Sequence, residues 1–294
     1  MGSNNRHNLL QHSALKDNKI ACLTLDLESD HSDLLDEPRY EGLEHIPELV
    51  AFLGEAGVPL TCFVQGSLLE THQGHIQLLT DADVEFELHS YSHPDVTELD
   101  THLEVERGIE AYRKFFARDP LGYRSPLGII KEEDYDILAA NGFRFDSSIY
   151  PSLRPGVFNN LGKPIQPFRV DVTDIVEFPF TAFSSLIRVP LTVSYLKLLG
   201  WPYFFLIKTF PLPDLIVFAF HLHDLFRLSS SREIPLEKHS LVHKMAFKRI
   251  YNGRHDGLLI LKEFVETLRR KGYSFNKLFD VYEAICLREE PVAL

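Results

Sequence analysis

IACLTLDLE, Ile20–Glu28, is the segment that decides the fold. Apolar or small residues fill nearly every position up to a carboxylate end. A strand apolar on both faces belongs in a parallel sheet with helices covering it. Outward from it the chain alternates. Gly42–Gly57 has helical spacing, with Gly57 as its stop. Val58–Gly66 is a second strand, followed by a helix opened by Ser67 with Glu70 completing a capping box. Asp83–Ser90 is a third strand, Thr97–Ala117 a helix, and Leu121–Gly128 a short strand and turn. Lys131–Asn141 is a helix stopped by Gly142, and the strand FRFDSS follows it. Further strands are expected at Ile175–Phe180, Leu215–Leu222 and Tyr273–Asn276, with an apolar helix before the last of them. This βαβα order with short connections predicts a parallel sheet with helices outside, and right-handed crossovers leave a barrel or a doubly wound sheet. Residues 1–17 are expected to be a disordered tail, and 18–294 a single domain.

Composition narrows the function. The chain has 294 residues, 45% of them hydrophobic, and a net charge of −12. That balance argues against a nucleic-acid partner, which requires a basic face. Cys22, Cys62 and Cys286 are too few and too scattered for a disulfide framework. The polar amino terminus shows no secretory h-region, and no run of 18 uncharged apolar residues occurs. A cytoplasmic location is the expectation.

Four polar clusters fall at the carboxyl ends of expected strands. Asp26 and Glu28 are two apart, so period 2 puts them on one face. His89 and His93 are four apart, and a helical turn there would aim both imidazoles one way, as divalent-metal sites require. Arg124 stands before Pro126 at another strand end, where a guanidinium can fork onto a carboxylate. His221 and His223 end the apolar strand FAFHLHD. Taken singly, a solvated strand end, surface histidines or a satisfied core histidine would explain most of these. Their coincidence on the rim where α/β barrels build active sites points to a metal-dependent hydrolase. The motifs G-x-S-x-G, G-x4-G-K-[ST] and G-x-G-x2-G are absent, which removes the main support for serine-hydrolase, P-loop and Rossmann readings.

The order of these motifs resembles the polysaccharide deacetylases, the NodB-like proteins of carbohydrate esterase family 4, in the branch whose first motif is D-x-E. LTLDLES is similar to the first motif, HSYSH to the second and YRSPLG to the third, while FHLHD resembles the last. The resemblance implies a distorted (β/α) barrel with fewer than eight parallel strands. It also implies metal-dependent removal of an N-acetyl, or related N-acyl, group from an amino sugar or glycan. In that scheme Glu28, His89 and His93 are metal ligands, with zinc the expected ion, and Asp26 is the general base. Arg124 would hold Asp26, and His221 would be the general acid, with His223 as the alternate and Glu177 as a residue orienting that histidine. Leu27 replaces the usual second aspartate of the first motif, which leaves Glu28 or Asp30 as the metal carboxylate, Glu28 being favoured because it shares a face with Asp26, and Leu127 replaces the tyrosine of the third. The only tryptophan, Trp201, lies outside all four motifs.

Two other readings stand beside this one: a different non-peptide C–N amide hydrolase on the same scaffold, and a non-catalytic carbohydrate-binding relative. The apolar segment 184–210 is open to two readings. It is an interfacial patch reaching a lipid-linked sugar at a membrane, or a helix pair covering the barrel or closing a dimer.

Overall fold

β2 (Lys19–Leu27) is buried from Ala21 to Leu27, as its uninterrupted apolar run requires. The computed structural model describes residues 8–9, 18–31, 34–94, 99–154, 157–171, 173–238, 240–251 and 256–289. Its strands are β1 (Asn8–Leu9), β2, β3 (Leu60–Val64), β4 (Val84–Leu88), β5 (Gly122–Tyr123) and β6 (Phe145–Asp146). A separate hairpin follows, β7 (Leu153–Arg154) with β8 (Phe158–Asn159). The remaining strands are β9 (Phe168–Arg169), β10 (Val176–Glu177), β11 (Leu215–Phe220) and β12 (Tyr273–Phe275). The main sheet runs β1-β9-β10-β6-β5-β4-β3-β2-β11. From β10 to β11 every pairing is parallel, and β12 lies parallel along the start of β2. Among the described residues, β9 and β1 are the antiparallel additions to that sheet. Thr181, just past β10, donates its backbone N–H to Val217 on β11, so the curled sheet comes round towards closure as a distorted barrel.

The helices are α1 (Ile46–Ala56), α2 (Leu68–Thr71), α3 (Gln73–Thr80), α4 (Thr101–Phe116), α5 (Glu132–Ala140) and α6 (Val193–Leu199). They continue with α7 (Trp201–Thr209), α8 (Leu222–Leu225), α9 (Leu241–Tyr251), α10 (Gly257–Arg270) and α11 (Leu278–Glu289). α10 shows why they form: Leu261, Phe264, Val265 and Leu268 make one apolar stripe, and Phe264 stacks on Phe218 of β11 at 4.0 Å. Each such side chain contributes about 1.5–3 kcal/mol when fully buried. Gly57 ends α1 in the left-handed region, φ 57°, as expected of a glycine stop.

Three expectations change. The helix expected from Ser67 is broken at His72 into α2 and α3, and Ser67 makes no side-chain cap. Its hydroxyl instead accepts a hydrogen bond from Gln65 Nε2. α4 begins at Thr101, with the Asp100 carboxylate capping Leu103 N–H. Of residues 1–17, Asn8 and Leu9 are described, and they form the edge strand paired with β9; the rest of that expected tail lies outside the described residues.

Candidate active site

Asp26, near the end of β2, is buried, and its Oδ1 accepts a hydrogen bond from Arg124 Nη1 at 2.5 Å. Arg124 follows β5 and is almost wholly enclosed. Its Nη1 also reaches Thr24 Oγ1 at 3.0 Å, while Nε and Nη2 bond Ser147 O and Oγ, both at 2.8 Å. The guanidinium is sandwiched between the rings of Phe63 and Phe180, 4.0 and 4.4 Å from their centroids. Breaking a buried pair of this kind costs about 3–5 kcal/mol, because the remaining charge stays enclosed. The arginine therefore fixes which way Asp26 points.

Glu28, one step beyond the strand, meets both histidines of the second cluster. His89 Nε2 is 3.1 Å and His93 Nε2 2.9 Å from Glu28 Oε2. The Nδ1–H of His89 donates to Arg124 O at 2.8 Å, which leaves Nε2 facing Glu28. Burial opposes the charge on Glu28, but His93, His89 and His221 outweigh it and hold the carboxyl well below the usual carboxylate range. The expected helical turn across His89–His93 is absent. Ser90 and His93 instead adopt left-handed backbone, φ 58° and 55°. Glu104 of α4 holds this loop, accepting from Tyr91 N at 2.9 Å, Ser92 N at 2.7 Å, Ser92 Oγ at 2.7 Å and Ser90 Oγ. His31 and Leu127 also have positive φ, 52° and 57°. Among the described residues, four of the five non-glycine residues in that region are therefore in the loops around the site, the fifth being Ala117 after α4. Each costs of order 1–3 kcal/mol, so the surrounding contacts must hold them there.

His221 caps α8 rather than ending a strand, so period 2 does not govern its relation to His223. Its Nε2 is 3.7 Å from both Asp26 Oδ2 and Glu28 Oε1, and its Nδ1 bonds Asp224 Oδ2 at 3.0 Å. Burial disfavours the imidazolium, but the Asp224 hydrogen bond and the Glu28, Asp224 and Asp26 charges override it and raise the pKa to about 10. His223 is placed differently. It stacks on His221 at 4.7 Å, and its Nδ1 accepts from His31 N at 3.2 Å. Burial, then the His221 and His31 charges, push His223 well below the ordinary histidine value. Among the described residues, Glu177 on β10 bonds neither histidine: its carboxylate accepts from Tyr135 Oη and Ile149 N. Asp30 also points elsewhere, towards Gly42 N–H.

Donor atoms of Glu28, His89 and His93 lie within 4.8 Å of one another, and so do those of His221, His223 and Asp224. The first set fits a divalent cation: two imidazole nitrogens and one carboxylate, with His89 held by its other nitrogen. In the second set, His221 Nδ1 is committed to Asp224 and His223 Nδ1 to a backbone N–H, so that set is a hydrogen-bonded cluster. Sequence reasoning missed Thr24, Phe63, Glu104, Ser147, Phe180 and the Asp224 partnership. Only His223-Asp224, adjacent in the chain, carried a signal.

With that geometry in place, residues 17–145 are similar to the polysaccharide deacetylase family, whose model matches them. Among individual proteins, the chain is similar to the peptidoglycan deacetylase-like protein FGM2 of Gibberella zeae, 27% identical over 115 residues. It is also similar to the peptidoglycan deacetylase of Helicobacter pylori, 24% identical over 123 residues. Those stretches cover 37% and 41% of this chain, and only 34% and 42% of the relatives' lengths. A Mycobacterium smegmatis structure assigned to the polysaccharide deacetylases shares the fold, with TM-score 0.58, 21% identity and 92% of each chain covered.

Proposed function

We propose that the chain is a metal-dependent hydrolase that removes an N-acetyl, or related N-acyl, group from an amino sugar or glycan. One observation carries the reading: Asp26, Glu28, His89, His93 and His221 converge on a single small volume. The names of the two curated relatives, both peptidoglycan deacetylases or deacetylase-like, support a glycan as substrate.

Glu28, His89 and His93 would hold the cation, with zinc the first choice for such a donor set. When bound it supplies Lewis acidity, polarising an amide carbonyl and lowering the pKa of water towards about 7. The chain's own groups do the rest. Arg124 ties down Oδ1 of Asp26, leaving Oδ2 on the side of Glu28 and His221, where it takes the proton of the attacking water. His221 keeps a proton on Nε2 because Asp224 and the nearby carboxylates favour its charged form, and it delivers that proton to the leaving amine. His223 is less well placed for that role, because its Nδ1 accepts from His31 N and burial disfavours its charged form.

Acetate release from free, nucleotide-linked and lipid-linked N-acetyl amino sugars and from a peptidoglycan fragment, with and without chelator, tests this. Release that chelation abolishes and zinc restores is expected. Full release by metal-stripped protein would overturn the metal assignment, and no release from any of them with the cation bound would overturn the reaction.

A further inference from the structure

More than half of the large apolar side chains exposed among the described residues lie in two stretches, 186–210 and 241–245. Trp201 on α7 is 75% exposed and stacks on exposed Phe205 at 5.5 Å. On α9, Leu241, Val242 and Met245 are all more than 60% exposed, and Leu186 stands at the tip of the turn before α6. These elements meet one another. α6 packs against α9, and a Cβ on Gly200, just before Trp201, would come within 2.9 Å of Arg249 on α9. The turn is joined to α7 by Tyr203 Oη, which donates to Val189 O and Pro190 O. Scattered exposed leucines need no explanation, whereas a contiguous apolar cluster marks an interaction surface.

The charge of the surface says what covers it. The chain is acidic overall, with 42 Asp and Glu, yet none occurs between Glu177 and Asp214 or between Glu237 and Asp256. Lys208 pairs with Glu263 and Lys197 is buried, so the cationic character rests on Arg188, beside the Leu186 turn and bonded to backbone carbonyls, and on α9, whose Lys244, Lys248 and Arg249 accompany its exposed apolar residues. An apolar face edged with lysine and arginine matches an anionic lipid surface, while a second copy would bring like charge against like.

This surface adjoins the site. Ser194 and Lys197 of α6 bond Asp224, the partner of His221, and Tyr251 at the end of α9 packs against His31 at 4.5 Å. We propose that α7, α9 and the Leu186 turn seat the protein on an anionic bilayer, with the His221 rim beside the headgroup layer. The inference does not depend on the deacetylase reading. Where both hold, the substrate is an amino sugar carried on a lipid.

Trp201 is the only tryptophan, so its emission reports directly on this face. Phosphatidylglycerol vesicles should shift the emission to the blue and sediment the protein, phosphatidylcholine vesicles should do so far less, and high salt should release it. Lys244→Glu with Lys248→Glu should weaken partitioning by at least about tenfold, and Leu241→Ser with Val242→Ser should abolish it, with far-UV circular dichroism unchanged in both. Asp26→Asn should bind vesicles like the parent, which separates this test from catalysis. No blue shift and no sedimentation with anionic vesicles would overturn the proposal. A lipid-free blue shift that grows with protein concentration would also overturn it, because the face would then be a self-association surface.

Discussion

Two acidic pairs at i, i+2 stand on either side of β3: Asp26 near the end of β2 with Glu28 one step beyond it, and Glu85 with Glu87 within β4. One member of each pair shares a layer of the sheet: Asp26 is level with Phe63 and Glu87, whereas Glu85 is level with Thr61 and Thr24. Their electrostatics are opposite. Glu28 meets His93, His89 and His221 and is held well below the usual carboxylate range. Glu87 meets the N–H groups of Leu121 and Gly122, and burial with the neighbouring Glu85 pushes it up to about 8. Burial raises Glu85 to about 7 despite its bond from Thr61. The β2 pair sits two residues further along the barrel, so Glu28 emerges where the loops bring imidazoles, and Asp26 is level with the reach of Arg124. Depth along the strand, and not the i, i+2 pattern, separates a chemical carboxylate pair from a structural one.

The comparison breaks most visibly in amide exchanges. Asp26→Asn should cut turnover about 10²–10⁴-fold while a cation stays bound. Glu28→Gln and His89→Ala should lose turnover and cation together, and Glu85→Gln and Glu87→Gln should keep both. Elemental analysis beside acetate release checks this, and a folded, inactive Glu87→Gln protein would erase the distinction. The next effect separates the two stacked histidines: His221→Ala should cost about 10²–10⁴-fold, and His223→Asn less than the lower end of that range. Equal losses would return His223 to the role of acid.

A smaller effect is expected at Glu104, which holds the Ser90–Ser92 loop between the histidines. Glu104→Gln should weaken cation affinity about tenfold, the lower end for outer-shell changes. A chelator competition titration measures it, and unchanged affinity would leave Glu104 a purely architectural role.

The smallest effect is in stability. Glu85 and Glu87 have folded pKa values raised to about 7 and about 8 from an ordinary 4.5. Between those values the folded chain binds more protons than the unfolded one, so stability falls as pH rises. Their contribution is full below about pH 4.5 and lost as pH passes through 7 to 8. Tm of the parent should therefore drop over that interval, and Glu87→Gln should flatten the decline. An identical pH slope in the two proteins would show that Glu87 is not burdened by its burial.

The chain order of strands and helices was legible because burial on both faces leaves an apolar run that few other structures tolerate, as in Ala21–Leu27 and Leu215–Phe220. Asp26, Glu28, His89, His93, Arg124 and His221 were legible because each stands at or just beyond a strand end. Glu104 and Ser147 were not, since a helix-borne glutamate and a loop serine look the same in sequence whether they bond a neighbour or water. The break at His72 and the left-handed backbone of Ser90 and His93 were equally hidden, because tertiary contacts impose them against local preference.

By itself, then, the sequence determined which side chains stand at the carboxyl rim of a parallel sheet, because strand periodicity and burial fix that locally. Only the tertiary structure decided which of two histidines faces the carboxylates, that Glu28 meets imidazoles while Glu87 meets backbone N–H groups, and that α6 packs against both α7 and α9. Those outcomes depend on distances between residues up to about two hundred positions apart, such as His31 and His223, and no local pattern encodes them.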